Sequence, residues 1–269
     1  MKTSLLQILL LFSTLTFPLI RAQATEPLRL RVLSYNIHHG AGVDGQLDLE
    51  RIAKVILAVK PDLVALQEVD QKTSRSQKID QPAELARLTK MHVAFGANIE
   101  FQGGHYGNAI LSRFPIAHQQ NHLLPNVDDG EQRGVLAAEI SIPQANASLR
   151  LLATHFDHRT ADKERVLSAQ TVNALVEKDA RPALLMGDLN DVVASETLNL
   201  LTIAWSRTNA QPLPTVPVDE PVRQIDFILF RPRQHWKVIE TRVLDEAVAS
   251  DHRAIFSVLE FRPGQASQE

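Results

Sequence analysis

The chain has 269 residues, 44% of them hydrophobic and 22% charged, the make-up of a globular protein with a sizeable core rather than a disordered or fibrous one. Its formal net charge is −3, and no run of Lys or Arg marks a dedicated nucleic-acid patch. Cysteine is absent, which excludes disulfides, thiolate metal sites and a cysteine nucleophile.

The first 24 residues read as a signal peptide. Lys2 supplies a short positive region, Leu5 to Ile20 is almost wholly apolar or small, and Ala22-Gln23-Ala24 fits a small-x-small cleavage site. The mature chain then begins at Thr25, and residues 25–269 are expected to form a single domain and a monomer. Cleavage removes Lys2 and Arg21 and no acid, leaving 26 basic against 31 acidic residues, a net charge of −5. An uncleaved anchor fits less well, because the apolar run is short for a span of about 20 residues and Pro18 interrupts it. No later segment could cross a membrane. Export without cysteine suits a bacterial periplasm or exterior.

Along the mature chain, Leu28 to Tyr35 alternates apolar and polar residues and predicts a strand ending in Asn36-Ile37-His38-His39-Gly40. After a glycine-bearing loop, Asp48 caps a helix whose apolar positions are Leu49, Ile52, Val55, Ile56 and Val59, and Pro61 ends it. Leu63 to Leu66 is the next strand, closing on Gln67-Glu68-Val69-Asp70. Residues 71–82 read as a polar surface loop and Pro82 to Lys90 as a short helix. From Met91 to Leu152, short β-type runs at 92–95, 108–111, 116–122, 135–142 and 149–154 suggest an antiparallel meander, followed by His155-Phe156-Asp157-His158. Thr160 to Lys178 is a helix with Val166, Ala169, Leu175 and Val176 facing inward. Ala183 to Met186 is a buried strand that stops at Gly187, where the backbone can turn sharply into Asp188-Leu189-Asn190-Asp191. A helix is expected near Ser195–Leu201, a proline-rich surface loop over 211–222, and strands at 225–230, 236–244 and 254–261, the last preceded by Ser250-Asp251-His252. With strands outnumbering helices in mixed order, the fold class is α/β: two packed mixed sheets flanked by helices, a four-layer sandwich.

Several predicted strands end in polar residues that folding does not need: Asn36, Glu68, His155, Asp157, Asp188, Asn190, Asp226, Asp251 and His252. Carboxylates gathered in one small volume cost energy unless a cation or proton offsets them. The residue types point to oxygen ligands for a hard cation such as Mg²⁺, with Mn²⁺ an alternative. No histidine pair has the spacing of a helical zinc site. His38 and His39 would point apart on an extended backbone, so His38 reads as a substrate contact rather than a metal ligand. Asp226, an acid inside an apolar strand, needs a partner; Arg223 and Arg253 are two candidates for an ion pair.

Ser34-Tyr35-Asn36, Gln67-Glu68-Val69, Gly107-Asn108-Ala109-Ile110-Leu111-Ser112-Arg113, Thr154-His155-Phe156-Asp157, Gly187-Asp188-Leu189-Asn190, Gln224-Ile225-Asp226-Phe227 and Ser250-Asp251-His252 occur in this order over about residues 30–260. Together they resemble the endonuclease/exonuclease/phosphatase superfamily of deoxyribonuclease I-like, metal-dependent hydrolases, and within it the secreted bacterial branch. The resemblance implies that Glu68 is the main Mg²⁺ ligand, with Asn36 and Asp251 supporting the metal site. It implies that Asp188 aligns or deprotonates an attacking water and that Asn190 binds the phosphate. His252, oriented by Asp226, and His155 would face the scissile phosphate, and Asp157 makes a His-x-Asp variant of that motif. Asn108, Asp157, Arg133 and His38 are the expected substrate contacts.

The implied activity is hydrolysis of a phosphodiester or phosphomonoester by water. A metal ion, an amide and imidazolium groups suit the charge that builds on the phosphoryl oxygens. Few aromatics are available for stacking bases. A lipid-type or small phosphoester is therefore favoured over DNA or RNA, the substrates of the alternative, a secreted endonuclease. A binding module without chemistry on the same scaffold is a second alternative, as is a zinc hydrolase using the histidines. Retention of the metal acid, the Asp-x-Asn pair and the last histidine speaks against the binding module.

Overall fold

In a computed structural model, residues 27–127 and 129–262 are described, so the signal-peptide reading lies outside them. In chain order the elements are β1 (Leu28–Asn36), a short 3-10 turn at His38–Gly40, α1 (Leu49–Ala58), β2 (Leu63–Gln71) and α2 (Gln81–Thr89). Next come β3 (His92–Phe101), β4 (Gly104–Ser112), β5 (Ile116–Leu123), β6 (Gly134–Ile142), β7 (Ala147–His155) and α3 (Lys163–Val176). The last are β8 (Ala183–Asp188), α4 (Glu196–Ala204), β9 (Ser206–Arg207), β10 (Asp226–Arg231), β11 (Trp236–Val243) and β12 (Ile255–Phe261).

The strands form two six-stranded mixed sheets, ordered β11-β12-β1-β2-β4-β3 and β5-β6-β7-β8-β10-β9. Alternation along each strand decides the layering. In β1, Leu30 and Val32 point between the sheets, while Leu33 and Tyr35 point outward to α1. In β8, Leu184 and Met186 face the inter-sheet core, and Ala183 and Leu185 face the cluster built on α3 and α4. Each central strand is therefore buried on both faces, which is why the sequence shows apolar runs rather than clean alternation there. The result is helices, sheet, sheet, helices, as expected.

Two parallel pairs fix the functional end. β1 runs parallel to β2 across α1, and β7 parallel to β8 across α3. The carboxyl-terminal ends of β1, β7 and β8, with a bulge inside β2, thus carry Asn36, His155, Asp188 and Glu68 to one edge of the sandwich. β10 is antiparallel to β8 with Asp226 opposite Asp188, and β12 is antiparallel to β1. The start of β10 and the loop before β12 therefore reach the same edge.

Five local expectations change. The expected meander divides: β3–β4 form a hairpin in the first sheet and β5–β6–β7 lie in the second, with the crossing at Arg113–Pro115, where Phe114 joins the inter-sheet core. Residues 71–82 are not all surface, because Thr73 and Ser76 are fully buried around Asp70. The 211–222 loop likewise buries Thr215, Val216 and Val218. On α3 the inward face is Ala169, Val172 and Val176, and Val166 and Leu175 are only partly covered. Glu164 and Arg165 take the buried positions of its first turn because each has a backbone partner, the amide of Val127 and the carbonyl of Asp157. Gly187, finally, is no turn but a residue within β8. A Cβ there would lie 2.0 Å from the carbonyl oxygen of Thr154 on β7, so glycine serves close strand approach.

Candidate active site

A cleft of about 380 Å³ opens at this edge. Glu68, His155, Asp188, Asn190, His252 and Arg133 line it, and so do Arg75, Ile99, Phe101, Tyr106, Glu131 and His158, which sequence reasoning did not single out.

Glu68 reaches the cleft through a bulge. Leu66 pairs with Ala109 and Val69 with Gly107, so Gln67 and Glu68 together oppose Asn108. Glu68 takes a left-handed φ of 58°, rare for a side-chain-bearing residue, and this turns its carboxylate out of the sheet and into the cleft. Asn36 is fully buried; its Nδ2 donates to Glu68 Oε1 at 3.1 Å and to Asp188 Oδ2 at 3.2 Å, while its Oδ1 accepts from the His38 amide. It thus faces both carboxylates with donors, holding one from each sheet.

Asp188 is buried at the end of β8. Oδ1 accepts from the Asn190 amide at 2.9 Å, and Asn190 has a left-handed φ of 49° with Nδ2 donating to the Phe156 carbonyl. His155 Nε2 stands 3.5 Å and His252 Nε2 3.7 Å from Asp188 Oδ2. The His155 tautomer follows from its other nitrogen. Arg133 Nη1 lies 3.0 Å from His155 Nδ1, and since a guanidinium can only donate, Nδ1 accepts and Nε2 carries the proton toward Asp188. Arg133 also donates to His158 and pairs with Glu131.

Asp226 finds its partner in His252, Nδ1 to Oδ2 at 2.9 Å, and the same oxygen accepts from Thr215 Oγ1 at 2.6 Å. The ion pair with Arg223 or Arg253 does not form; Arg253 pairs with Asp245 instead. Thr215 went unnoticed in the sequence because the proline-rich stretch around it read as surface loop.

Other expected residues fall elsewhere. Asp251 is exposed and does not line the cleft; its buried neighbour Ser250 ties the loop to β1, Oγ donating to the Asn36 carbonyl at 2.7 Å. Asp157 is buried but holds Arg159 at 3.0 Å and is outside the lining. Asn108 is buried beside the bulge, donating to the Gly134 carbonyl, and is also outside the lining. His38 stands with His39 beside Glu68, where the backbone departs from the extended form assumed for the pair.

Arg75 closes the opposite wall. It forms a two-point ion pair with Asp70, both contacts 2.8 Å, and its guanidinium lies 4.7 Å from the Phe101 ring centroid and 5.1 Å from that of Tyr106. The only sequence signal was an arginine in an otherwise uncharged Thr-Ser-Arg-Ser run.

Charge is distributed unevenly. Burial works against protonating His252, but the carboxylates of Asp226 and Asp188 outweigh it and push the imidazole up to about 10, so it is an imidazolium at neutral pH. Burial and the nearby Asp226 raise Asp188 to about 7, partly offset by His252 and by hydrogen bonds from Asn190 and Asn36. Burial, then Arg133, His252 and His158, hold His155 well below the usual histidine range, so it is neutral. One carboxylic group and two histidines driven in these directions are what proton transfer near pH 7 needs.

Two groups of side chains among the described residues have the donors to hold a cation: His38, His39 and Glu68; and Asp188, Asp226 and His252. The second is already closed by the His252–Asp226 bond and by the amides on Asp188. Glu68, partly exposed and turned into the cleft, retains room for an ion with water and substrate oxygens, so the residues present fit a divalent cation there.

Comparison with known proteins bears on this arrangement. The family model described as "Endonuclease/Exonuclease/phosphatase family" matches residues 33–252. The chain is 31% identical over 219 residues to the protein YbhP of Escherichia coli strain K12, covering 76% of this chain and 85% of YbhP. Among solved structures, an endonuclease/exonuclease/phosphatase from Beutenbergia cavernae superposes with a TM-score of 0.74 at 26% identity, covering 87% of this chain and 72% of that one. The mannosyl-6-phosphatase Bt3783 of Bacteroides thetaiotaomicron shares the fold with a TM-score of 0.71 at 19% identity, covering 86% of this chain and all of that one. With the deoxyribonuclease I-like sandwich and a polar cleft at its strand ends, the chain belongs to the endonuclease/exonuclease/phosphatase family, whose members are phosphoester hydrolases that generally depend on a divalent metal.

Proposed function

We propose that the protein is an exported Mg²⁺- or Mn²⁺-dependent phosphoesterase acting on a small or lipid-type phosphoester. The observation that carries this is the convergence of Glu68, Asp188, Asn190, His155 and His252, from distant points of the chain, on one cleft. Among the described residues no helix is long and apolar enough to cross a membrane. The leader and its cleavage near Ala24 remain part of the proposal.

In this reading Glu68 holds the cation, aided by Asn36, which fixes the carboxylate through its amide. A divalent cation bound there would supply positive charge to a phosphoryl oxygen. Asp188, poised near neutrality, orients a water and takes its proton. Asn190 presents its amide at the same rim. His252, held as imidazolium by Asp226, stabilises the charge growing on the phosphoryl group and can pass its Nε2 proton to the leaving oxygen. Neutral His155 donates from Nε2, locked in that tautomer by Arg133. With a proton taken at Asp188 and one given at His252, the two groups exchange states during a turnover.

The size of the cleft, at the small end of ligand pockets, favours a compact phosphorylated group. Arg75 and Arg133 supply positive charge, and Phe101 and Tyr106 an apolar wall for whatever the phosphate carries. A metal-by-substrate screen tests the proposal. Purified protein is offered bis-p-nitrophenyl phosphate, p-nitrophenyl phosphate, phospholipids, inositol phosphates and plasmid DNA, each with Mg²⁺, Mn²⁺, Ca²⁺ and Zn²⁺. Turnover of a small or lipid ester with Mg²⁺ or Mn²⁺ supports it. Preference for plasmid DNA would shift the reading to a secreted endonuclease, and no turnover of any ester to a binding module.

A further inference from the structure

His38 and His39 have no part in the scheme above, yet they stand beside Glu68. One ring nitrogen of each histidine and a carboxylate oxygen of Glu68 all lie within 4.8 Å of one another. Adjacent residues on an extended strand could not do this. Here both histidines are left-handed, with φ of 44° and 45°, which brings their side chains together; the rings meet edge to face with centroids 4.4 Å apart. Glu68, across the β1–β2 junction, is left-handed as well. Three strained residues that share one small volume persist only where the surroundings over-determine them.

Each histidine also has a ring nitrogen available as a ligand. His38 Nδ1 lies 3.0 Å from the Ala41 carbonyl, so it carries the proton and leaves Nε2 with a free lone pair. A backbone carbonyl on one ring nitrogen is the usual way a protein orients a metal-binding imidazole. His39 Nδ1 is buried and has no hydrogen-bond partner, while the His39 carbonyl is clamped by Gln81 Nε2 at 2.6 Å, which fixes the residue in place. A buried ring nitrogen without a partner costs free energy that a bound ion would recover.

We propose that His38, His39 and Glu68 form a two-histidine, one-carboxylate site for a borderline divalent transition ion of the Zn²⁺ class, which shares Glu68 with the cleft. Two imidazoles and one carboxylate select against Mg²⁺ and Ca²⁺, which take oxygen ligands, and favour Zn²⁺, Co²⁺ or Fe²⁺. At metal–ligand distances of about 2.0–2.2 Å no two donors can be more than about 4.4 Å apart, so the three draw in slightly around the ion. The proposal rests on Glu68 as a metal ligand and not on hydrolysis of any substrate.

The test is binding of metal alone to the chelator-stripped mature chain. Co²⁺ should bind one ion per chain with visible absorption bands of a nitrogen-containing site, and millimolar Mg²⁺ should not displace it. His38→Ala, His39→Ala and Glu68→Gln should each weaken Co²⁺ and Zn²⁺ by more than about 100-fold, since loss of even a supporting contact costs 10- to 100-fold. His118→Ala, on β5, should change nothing. Circular dichroism checks each variant for folding, and Cu²⁺ electron paramagnetic resonance on the unmutated chain, which needs no variant, should show coupling to two imidazole nitrogens. Absence of nitrogen coupling, or unchanged Co²⁺ affinity in folded forms of both histidine variants, would overturn the site. Tight binding without turnover of any ester would leave the site standing and retire the hydrolase reading instead.

Discussion

Replacing Asp226 by Asn preserves shape and removes one charge from the hydrogen-bonded His252–Asp226 pair. His252 is raised from 6.5 to about 10 even though burial opposes it. At about 1.4 kcal/mol per pH unit that is roughly 5 kcal/mol of net preference for the imidazolium, order of magnitude. Asp226 is the largest of the raising influences and supplies the hydrogen bond at 2.9 Å. Its loss should lower the histidine by about two units or more, leaving at least half of the imidazole neutral at pH 8. Two measurements follow. The Cε1 proton resonance of His252 should titrate near pH 10 in the unmutated protein and near or below pH 8 in Asp226→Asn. With bis-p-nitrophenyl phosphate and Mg²⁺ or Mn²⁺, the alkaline limb of kcat should move down in parallel, and kcat at pH 8 should fall by about 10²–10³. His252→Ala should cost at least as much, and the double variant little more, because members of one unit are non-additive. If Asp226→Asn kept the histidine titrating near pH 10, or if the two losses multiplied, the pair would not be a unit.

Activity should vanish in EDTA and in Glu68→Ala, while Glu50→Ala on the exposed face of α1 should leave it intact; full activity in excess chelator would rule out the metal. Gly187→Ala should lower stability by about 2–3 kcal/mol in thermal unfolding and also reduce activity, since the new Cβ would push β8 off Thr154 and shift Asp188 against His155. Hydrogen bonding to Arg181 holds Asp179 down to about 2, so its stabilisation is present above pH 4 and lost as pH falls toward 2. Asp179→Asn should therefore cost about 1–2 kcal/mol at pH 7, after allowance for solvent screening, and this cost should shrink as pH falls through 2 and vanish below it. N-terminal sequencing of protein from its native host should begin near Thr25; an intact Met1 on cytoplasmic material would refute export.

Layer order was legible in the sequence because central strands are apolar on both faces and helices carry one apolar stripe, as α1 shows with Leu49, Ile52, Val55 and Ile56. What was not legible depended on pairing across the sheets. The expected meander could not reveal its division: β5 is a polar, largely exposed edge strand whose sequence does not say which sheet it borders, and only Phe114 marks the crossing. The bulge at Gln67–Glu68 and the left-handed histidines are set by tertiary pairing, which no local propensity announces. Thr215 and Arg75 were hidden in stretches whose proline or small polar residues described a loop correctly but not its depth. Gly187 drew attention rightly for the wrong reason, because a glycine needed for space looks the same in sequence as one needed for a turn.

The donors of Asn36 span the two sheets: one meets Glu68 on β2, the other Asp188 on β8, 152 positions along the chain. The cleft is accordingly a gap between two plates, and its working width is set by how the plates pack on the apolar layer behind it. Leu30, Val32, Leu151 and Met186 in that layer act as spacers for chemistry they never touch. Trimming one of them would slacken the alignment before the fold gave way.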